Sequence, residues 1–384
     1  MRQLWLQIPP FLADTFGFEE VVNKTAGLGI LDDCSDYKGR AGRLHSERRN
    51  GQKHMISTGI RMEDTVSGTG KKIKNMAEVG IEERNPDFIM LATGPVSAMI
   101  GTDLENLAKE ISERHHLPVT GVELTGHKYY DVGIGRTLEK LADMVTTPME
   151  KVSGTCNLLG GNEIDCGENV EHIYEWVNQH GYKVISQWGG QEATGNLRRA
   201  ASAEINIVTA VCGIPVARYL KKKYGTPFVT GVPYGKTWSN VIFDAMCHKK
   251  QPEALDFKAD SAKILIIGEQ LAANAIRETL IRDFHRRNIQ VATFFQLDKE
   301  FSYANDKKVK GEDDLKKLLN QGKDTLIIGA PEFKRLWEGN GQFIELSHGA
   351  VTMNSHMKFP QLVGEDLNQW LKDQGVLEGL ECDR

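Results

Sequence analysis

The sequence predicts an α/β protein in which three parallel sheets, each covered by helices, follow one another along the chain. Three times, a short apolar run is followed by a turn that contains glycine and then by an amphipathic helix. The apolar runs are nearly continuous rather than alternating, which is typical of parallel strands buried on both faces. We therefore expect three consecutive Rossmann-like domains, at residues 1–150, 151–255 and 256–384.

The first unit opens with an apolar run at 87–93 and the turn Thr93-Gly94-Pro95. A helix is expected over 101–113, because apolar residues recur on one face at Leu104, Leu107, Ala108 and Ile111. Its start, Thr102-Asp-Leu-Glu105, has the pattern of a capping box. A strand at 119–124 then follows Pro118. Residues 30–60 favour loop, with a short strand at 55–60.

The second and third units repeat this order. In the second unit we expect strands at 152–161 and 183–187 and helices at 171–180 and 205–224. In the third unit we expect a helix at 272–287 and strands at 263–268, 290–295, 325–329 and 343–346. The charged stretch at 247–260 is the best linker candidate between the two.

Composition excludes several classes of protein. Among 384 residues, 47 basic side chains are interspersed with 52 acidic ones, so no broad electropositive surface for nucleic acid is expected. The N-terminus lacks the apolar core of a secretory signal, and no run approaches the ~20 apolar residues of a membrane span. We therefore expect a soluble, cytoplasmic protein that does not contact membranes.

The common cofactor motifs are missing from the turns that follow the expected strands. Gly268-Glu-Gln-Leu-Ala-Ala273 lacks the second and third glycines of the GxGxxG dinucleotide motif, and no GxxxxGK[ST] phosphate loop occurs. Binding of NAD or ATP by these devices is disfavoured. The six cysteines show no CxxC spacing, which argues against a zinc site and against a disulfide framework.

Cys34 lies in a turn after an apolar segment and is surrounded by Asp32, Asp33 and Asp36. Thiolates are soft ligands that suit iron–sulfur clusters, and a carboxylate can occasionally replace one of them. Taken alone, a cysteine near a turn is more often an inert, half-buried residue. Both interpretations stay open at this point.

Several segments resemble the nitrogenase component 1 family. The most specific part is 58–126, which includes Thr58-Gly-Ile-Arg-Met-Glu-Asp-Thr-Val-Ser-Gly68 and Pro86-Asp-Phe-Ile-Met-Leu-Ala-Thr-Gly-Pro95. The similarity continues in Asn157-Leu-Leu-Gly-Gly161, in 205–208 and in 222–227. That family contains the molybdenum–iron protein subunits, a cofactor-assembly scaffold and the dark-operative protochlorophyllide and related tetrapyrrole reductases.

The resemblance implies an oxidoreductase subunit with three Rossmann-like domains. Such subunits pair, as homodimers or heterodimers, around an interface iron–sulfur cluster, expected here to be of the 4Fe–4S type. They receive electrons from an ATP-hydrolysing iron protein, so the implied partners are such an ATPase and a homologous subunit. The docking surface would lie near the Cys34 turn, with rim charges from Arg40, Arg43 and Arg48.

The resemblance also assigns candidate site residues. Cys34 matches a cysteine that ligates the interface cluster, whereas Ala13 and Gly94 stand where many members have cysteines. The small Gly94 would leave space for an altered cluster or for a partner's ligand. Cys212 and His348 lie near the positions of a cysteine and a histidine that bind a further metallocofactor, although a core cysteine and an ordinary loop histidine are the alternatives. Met353, Asn354 and His356 could line the same pocket.

Three functions are compatible with these observations. The first is an enzyme subunit that passes electrons through a cluster to a substrate or metallocofactor, with catalytic residues unknown. The second is a non-catalytic scaffold or structural partner subunit for metallocofactor assembly. The third is a two-domain small-molecule binding protein whose glycine-rich turns contact an anion. Only the cluster-binding functions require stoichiometric iron, and the substrate is not specified, since one fold supports different chemistries.

Overall fold

A computed structural model describes residues 6–34, 54–255, 263–322, 325–352 and 359–376. In these ranges, no helix combines the length and the apolar character that a membrane crossing requires. The strands form three sheets, and neighbouring strands within each sheet run parallel. Some residues considered from the sequence lie outside the described ranges: Arg40, Arg43, Arg48, Met353, Asn354 and His356.

The first sheet has the strand order β2-β1-β3-β4. Its strands are β1 (Leu28–Asp32), β2 (Met55–Ser57), β3 (Ile89–Thr93) and β4 (Val119–Val122). Its helices are α1 (Asp14–Val22), α2 (Asp64–Ser67), α3 (Gly70–Arg84), α4 (Pro95–Ile100) and α5 (Leu104–His115). All residues of β1 and β3 are buried. Leu31 belongs to the central apolar cluster and Ile30 to an outer one, so both faces of β1 are covered.

The second sheet has the strand order β6-β5-β7-β8. After helix α6 (Tyr130–Val145), its strands are β5 (Val152–Leu159), β6 (Lys183–Trp188), β7 (Ala203–Val208) and β8 (Phe228–Thr230). The helices that connect or follow them are α7 (Glu163–Cys166), α8 (Asn169–Gln179), α9 (Thr194–Arg198), α10 (Ile214–Tyr224) and α11 (Lys236–His248).

The third sheet has the strand order β11-β10-β9-β12-β13. Its strands are β9 (Ile264–Ile267), β10 (Ile289–Thr293), β11 (Lys307–Lys308), β12 (Leu326–Gly329) and β13 (Phe343–Glu345). The helices are α12 (Gln270–Arg282), α13 (Glu312–Leu319) and α14 (Glu365–Asp373). The predicted fold class, consecutive α/β units with parallel sheets, is confirmed.

One helix prediction was wrong in part, and another is confirmed with a shifted start. The expected helix at 205–224 begins as strand β7, because the alternating apolar residues there pair with β5, and α10 starts only at Ile214 with Pro215 in its first turn. The expected helix at 101–113 is α5 (Leu104–His115), which begins three residues later because Gly101, with φ 72°, is the C-cap of the preceding helix α4. The N-cap of α5 is Asp103, whose Oδ1 accepts from the N–H of Asn106 at 3.1 Å; Thr102 is not the cap.

The N-terminal segment joins the third sheet and its helices to the start of α6. Oε2 of Glu312 accepts backbone N–H groups from Leu6 and Gln7 at 2.9 and 3.0 Å. Further along, Phe11 packs edge-on against Phe294, with ring centroids 4.9 Å apart. The carbonyl of Leu12 then accepts the N–H of Tyr130, the first residue of α6. The segment therefore fixes the third sheet over the start of α6.

Candidate functional site

Strand β1 carries Asp32, Asp33 and Cys34 to the carboxyl edge of the first sheet. Asp32 is fully buried, and its carboxylate accepts hydroxyl hydrogen bonds from Thr58 at 2.7 Å and Thr69 at 2.6 Å. Burial raises the pKa of Asp32, while these hydroxyls oppose the shift. The Asp32 carboxylate therefore ties the loop after β2 and the start of α3 to β1, which holds the Cys34 turn in place.

Asp33 has an incomplete set of hydrogen bonds. Its Oδ1 accepts the N–H of Cys34 at 2.8 Å, but its Oδ2 is buried and has no hydrogen-bond partner among the described residues. Only 2% of the residue is exposed. Burial raises the pKa of the Asp33 carboxyl, with a smaller contribution from the charge of Asp32. A buried carboxylate oxygen without a donor is costly, which makes Oδ2 the most unusual polar atom at this edge.

Gly94 lies against the side chain of Asp33. A Cβ atom built on Gly94 would be 2.2 Å from Oδ2 of Asp33, closer than any real contact. The carboxylate therefore occupies the volume that a side chain at position 94 would need. Gly94 therefore lies against Asp33, the residue before Cys34, at the carboxyl edge of the sheet.

Two further contacts extend this edge. A Cβ on Gly126, after β4, would be 2.3 Å from Pro95. The N–H of Thr125 donates to Oδ2 of Asp14, whose neighbour Ala13 pairs with Tyr129. The chain neighbours of Ala13 and Gly94, which are Asp14 and Pro95, therefore both contact the segment at 125–126.

Large apolar side chains are exposed near the same edge. Met62, Val66 and Met99 are 85%, 91% and 85% exposed, and the helices that carry or follow them, α2 and α4, pack against each other. The backbone of Ile60, just before this region, donates to the carbonyl of Asp33 at 2.9 Å. Clustered exposed apolar side chains mark surfaces that contact other molecules.

Cys212 and His348 meet at a second place, through a shared carboxylate. Nε2 of His348 lies 3.3 Å from Oδ1 of Asp165, and Sγ of Cys212 lies 3.9 Å from Oδ2 of the same residue. The hydroxyl of Tyr130 donates to Oδ1, and the amide of Asn162 donates to Oδ2 at 2.6 Å. Residues from three distant segments, Tyr130, Cys212 and His348, therefore converge on Asp165 and its neighbour Asn162.

The orientation of the imidazole follows from its second nitrogen. Nδ1 of His348 accepts the N–H of Ala350 at 3.1 Å, so in the neutral ring the proton is on Nε2 and faces Asp165. The ring also stacks on Phe295, with centroids 4.7 Å apart. This packing and hydrogen bonding hold His348 within the core rather than on a mobile loop.

The electrostatic environment of this network favours protonated groups. Burial, and then the charges of Asp165 and Glu269, raise the pKa of Cys212 well above its usual value. Burial and Asp165 likewise raise the pKa values of Tyr130 and Glu269. Burial and the neighbouring acidic side chains therefore favour the thiol form of Cys212.

The space beside Asp165 is small. A cavity of about 40 Å³, lined in part by Asp165, Glu269 and His348, has room for a few water molecules. In the part of the chain that the structure describes, no group of three or more His, Cys, Asp and Glu side chains could hold a metal ion. The assignment of Cys212 and His348 to a further metallocofactor stays a prediction, and the structure adds that both side chains contact Asp165.

Sequence reasoning found some of these residues and missed others. Of the residues predicted from the sequence, Gly94 contacts Asp33, the residue before Cys34, and Cys212 and His348 both contact Asp165. Tyr130, Asp165 and Glu269 were missed, because each lies in a different segment. Glu269 had one signal: it directly follows Gly268 at the end of β9, the position where α/β proteins gather ligand-binding groups.

The fold and the comparisons with known proteins together define the family to which this chain belongs. A solved structure described as "Nitrogenase Cp1 at pH 6.5" aligns with 98% of this chain and 94% of its own chain, with a TM-score of 0.74 and 14% identity. Such low identity shows a shared fold. The sequence profile of the nitrogenase component 1 type oxidoreductases matches residues 33–254. The chain belongs to the nitrogenase component 1 type oxidoreductase family.

The matches to curated relatives cover a smaller part of each protein than the structural match does. The nitrogenase iron–molybdenum cofactor biosynthesis protein NifE of Clostridium pasteurianum is 23% identical over 189 residues, 48% of this chain and 40% of that protein. One of the subunits of the light-independent protochlorophyllide reductase of Acaryochloris marina is 25% identical over 60% of this chain and 50% of that protein. The nitrogenase molybdenum–iron protein alpha chain of Methanosarcina barkeri is 24% identical over 47% of this chain and 35% of that protein. These matches span half or less of each relative.

Proposed function

We propose that this chain is one subunit of a nitrogenase-like reductase, with part of an iron–sulfur cluster site at the Cys34 edge. The observation that carries the proposal is the buried Oδ2 of Asp33, which has no partner among the described residues and adjoins Cys34 in the space that Gly94 leaves. A thiol and a carboxylate oxygen next to each other suit iron as a pair of ligands. A four-iron cluster of the usual kind needs further ligands, which a second subunit would supply.

The residues around this pair fit such a group. Cys34 would bind through its sulfur and Asp33 through Oδ2, while Asp32 and its threonine partners fix the turn. When bound, an iron–sulfur cluster supplies one-electron redox chemistry, with a potential set by ligand type, hydrogen bonds and burial. The carboxylate ligand and the buried Asp32 would both tune that potential.

The exposed apolar side chains support a subunit interface at this edge. Met62, Val66 and Met99 would be covered by a homologous subunit, in a homodimer or a heterodimer. Such a subunit would at the same time bring the missing ligands to Cys34 and Asp33. The exposed apolar surface and the incomplete ligand set therefore support the same partner.

Electrons would come from an ATP-dependent iron protein rather than from NAD(P)H. In a dinucleotide-binding α/β domain, the pyrophosphate lies at a helix N-terminus after the first strand. Here Glu269 caps that end of α12: its Oε2 accepts the N–H of Ala272 at 2.8 Å and its Oε1 accepts the N–H of Val211 at 2.7 Å. A buried acidic side chain at this position disfavours a pyrophosphate.

The test begins with anaerobic purification and analysis of iron and acid-labile sulfide. Wild-type protein should contain stoichiometric iron and absorb in the visible region through sulfur-to-iron charge transfer. Cys34→Ala and Asp33→Ala should lose most of the iron, and Cys247→Ala, which removes an exposed cysteine on α11, should not. Full iron content in Cys34→Ala would overturn the cluster assignment.

The electron donor is tested separately on the iron-loaded protein. Purified iron protein with MgATP should reduce it, and the rate should depend on ATP hydrolysis. Rapid, stoichiometric reduction by NADPH alone, with no added protein or flavin, would overturn the donor assignment.

A scaffold for metallocofactor assembly is the second candidate, and the similarity to NifE proteins favours it. Both candidates predict iron at Cys34. They differ in turnover, because a scaffold would accept no electrons from the iron protein beyond the one-time reduction of its own cluster. Repeated ATP-dependent oxidation and reduction with a family substrate, such as a tetrapyrrole, would favour the reductase, and its absence would favour the scaffold.

A further inference from the structure

A cavity of about 250 Å³ lies between the second and third sheets. One wall comes from Thr230 and Gly231 at the carboxyl end of β8, and from the loop at 251–254 that follows α11. The other wall comes from the first turns of α12 and from residues 300–303 after β10. None of its lining residues belongs to the Cys34 edge or to the Asp165 network. Crevices of this kind, outside the carboxyl ends of parallel strands, are common ligand sites.

The walls of this cavity are mainly apolar and aromatic. Trp238, Leu271, Phe301 and Tyr303 contribute most of the large side chains. The ring of Tyr303 is fixed, because the guanidinium carbon of Arg277 lies 3.4 Å from its centroid and its hydroxyl donates to Glu278. Trp238 is only 3% exposed. Rigid aromatic walls reduce the entropy that a ligand site loses on binding.

The polar side chains in the walls already have partners within the protein. Oε1 of Gln251 accepts from both the N–H and the hydroxyl of Thr230, at 3.0 and 2.8 Å. Nδ2 of Asn274 donates to the carbonyl of Phe301 at 3.0 Å. These groups stabilise the walls. A ligand therefore contacts mainly carbon surface.

The charge at the cavity excludes one large class of ligands. Among the described residues that line it there is no lysine, arginine or histidine, and the ionised side chain at its mouth is Glu300, which is half exposed and pairs with Arg218 at 2.7 Å. Nucleotides, phosphates and small carboxylates need a cation or free N–H groups. They would instead approach an acidic side chain.

We propose that this cavity binds a small, uncharged molecule built on one ring, of about ten non-hydrogen atoms. Its volume is near the lower end of the range of about 300–1,000 Å³ for ligand pockets, and apolar cavities of about 150 Å³ already bind benzene. Because the polar side chains named above bond within the walls, a ring of low polarity fits the cavity best.

Three probes test the proposal on the whole chain: acetophenone and ethylbenzene, which are neutral, and phenyl phosphate, which is an anion. Ligand-observed NMR and calorimetry should show both neutral probes binding and phenyl phosphate not binding. The proposal would be overturned if neither neutral probe bound. Equal affinity for phenyl phosphate would overturn the charge argument.

A matched pair of variants locates the binding. Ala254 is exposed and lines the mouth, so Ala254→Trp should fill the entrance without disturbing the core. It should weaken acetophenone binding at least tenfold. Glu253→Trp changes an exposed neighbour that does not line the cavity and should bind as the wild type does. Unchanged affinity in Ala254→Trp would show that the probe binds elsewhere and would overturn the site.

Discussion

The carboxylate of Asp33 occupies the space that a side chain at Gly94 would need, since a Cβ on Gly94 would lie 2.2 Å from Oδ2 of Asp33. Oδ2 has no hydrogen-bond partner within the described residues, and in the proposed cluster site it would be the oxygen that binds iron.

Gly94→Ala should therefore displace the Asp33 carboxylate. The added methyl group overpacks the site, which costs typically about 1–3 kcal/mol, and moves Oδ2 away from Cys34. We expect a lower melting temperature and a clear loss of bound iron after anaerobic purification. Gly195→Ala is the control, because a Cβ on Gly195 meets no atom within 4 Å. Normal iron content and stability in Gly94→Ala would contradict the arrangement.

The proposed interface predicts a change in oligomeric state. Met99→Asp places a charge on the exposed apolar surface near the Cys34 edge, where a partner subunit would bury it without a counter-ion. Analytical ultracentrifugation should show a shift from dimer to monomer. Met149→Asp changes a half-exposed methionine between α6 and β5 and should leave the dimer intact. A dimer of unchanged stability in Met99→Asp would place the interface elsewhere.

The buried strands could be read from the sequence because parallel strands leave continuous apolar runs. The predicted ends of two strands lie within one or two residues of the observed ends, which are 264–267 for β9 and 89–93 for β3. Strand β7 was mistaken for helix, because its apolar residues also suit a helical face and the following helix extends the pattern. The buried Asn206, which accepts from Asn157 across the sheet at 2.7 Å, gave no sequence signal for a strand.

The sites were harder to predict than the strands. Cys34 could be found because thiol chemistry and the family resemblance agree on it. The role of Asp33 depends on the direction of a side chain toward residue 94, 61 positions away, and no local pattern records this. The Asp165 network joins residues from four segments. Only the packing of α6 against the turn at Val211–Gly213 brings Tyr130 and Cys212 together.

Cys212 and His348 should not contribute to iron binding. Both groups contact Asp165 in a nearly closed space, so Cys212→Ala and His348→Gln should lower the melting temperature while the iron content stays that of the wild type. Cys34→Ala, measured in parallel, should lose iron with little change in melting temperature. Loss of iron in Cys212→Ala, with an otherwise folded protein, would instead indicate a second metal site.

The buried carboxyl group of Asp131 should make the stability of the protein depend on pH. Burial raises its pKa from 3.8 to about 6; its Oδ2 accepts the N–H of Gln296, and its Oδ1 is buried without a partner among the described residues. Because the pKa is raised on folding, its contribution to stability is present below pH 3.8 and is lost as the pH rises through about 6. The two-unit shift corresponds to about 3 kcal/mol.

Asp131→Asn should remove this dependence. From about pH 4 to pH 6.5, the wild type should lose stability relative to the variant, as measured by urea unfolding at several pH values. Lys308, the nearby cation, has a pKa that burial lowers to about 8 and so stays charged in this window. Glu139→Gln, an exposed change on the same helix, serves as control. A constant difference between Asp131→Asn and the wild type over the window would show that Asp131 is ionised throughout.

The carboxylate of Glu312 should hold the N-terminal segment in place through hydrogen bonds. Its Oε2 accepts three successive backbone N–H groups, from Leu6, Gln7 and Ile8 at 2.9, 3.0 and 3.4 Å. Burial acts to raise the pKa of Glu312, but the three N–H groups outweigh it and lower the pKa below 4.5. This contribution to stability is therefore present above pH 4.5 and is lost as the pH falls through the lowered pKa.

Glu312→Gln keeps an acceptor but removes its charge, and charge-assisted hydrogen bonds are roughly twice as strong as neutral ones. Hydrogen exchange of the amides at 6–12 should become about tenfold faster, because a loss of 1–2 kcal/mol releases the segment locally rather than unfolding the domain. Asp313→Asn, an exposed change in the same first turn of α13, should leave this exchange unchanged and so controls for the helix dipole.

Since Phe11 packs against Phe294 and Leu12 bonds to Tyr130, release of the segment should next increase exchange at the start of α6, beside Asp165. Equal exchange in Glu312→Gln and the wild type would mean that the contacts of Phe11 and Leu12 hold the segment without the carboxylate.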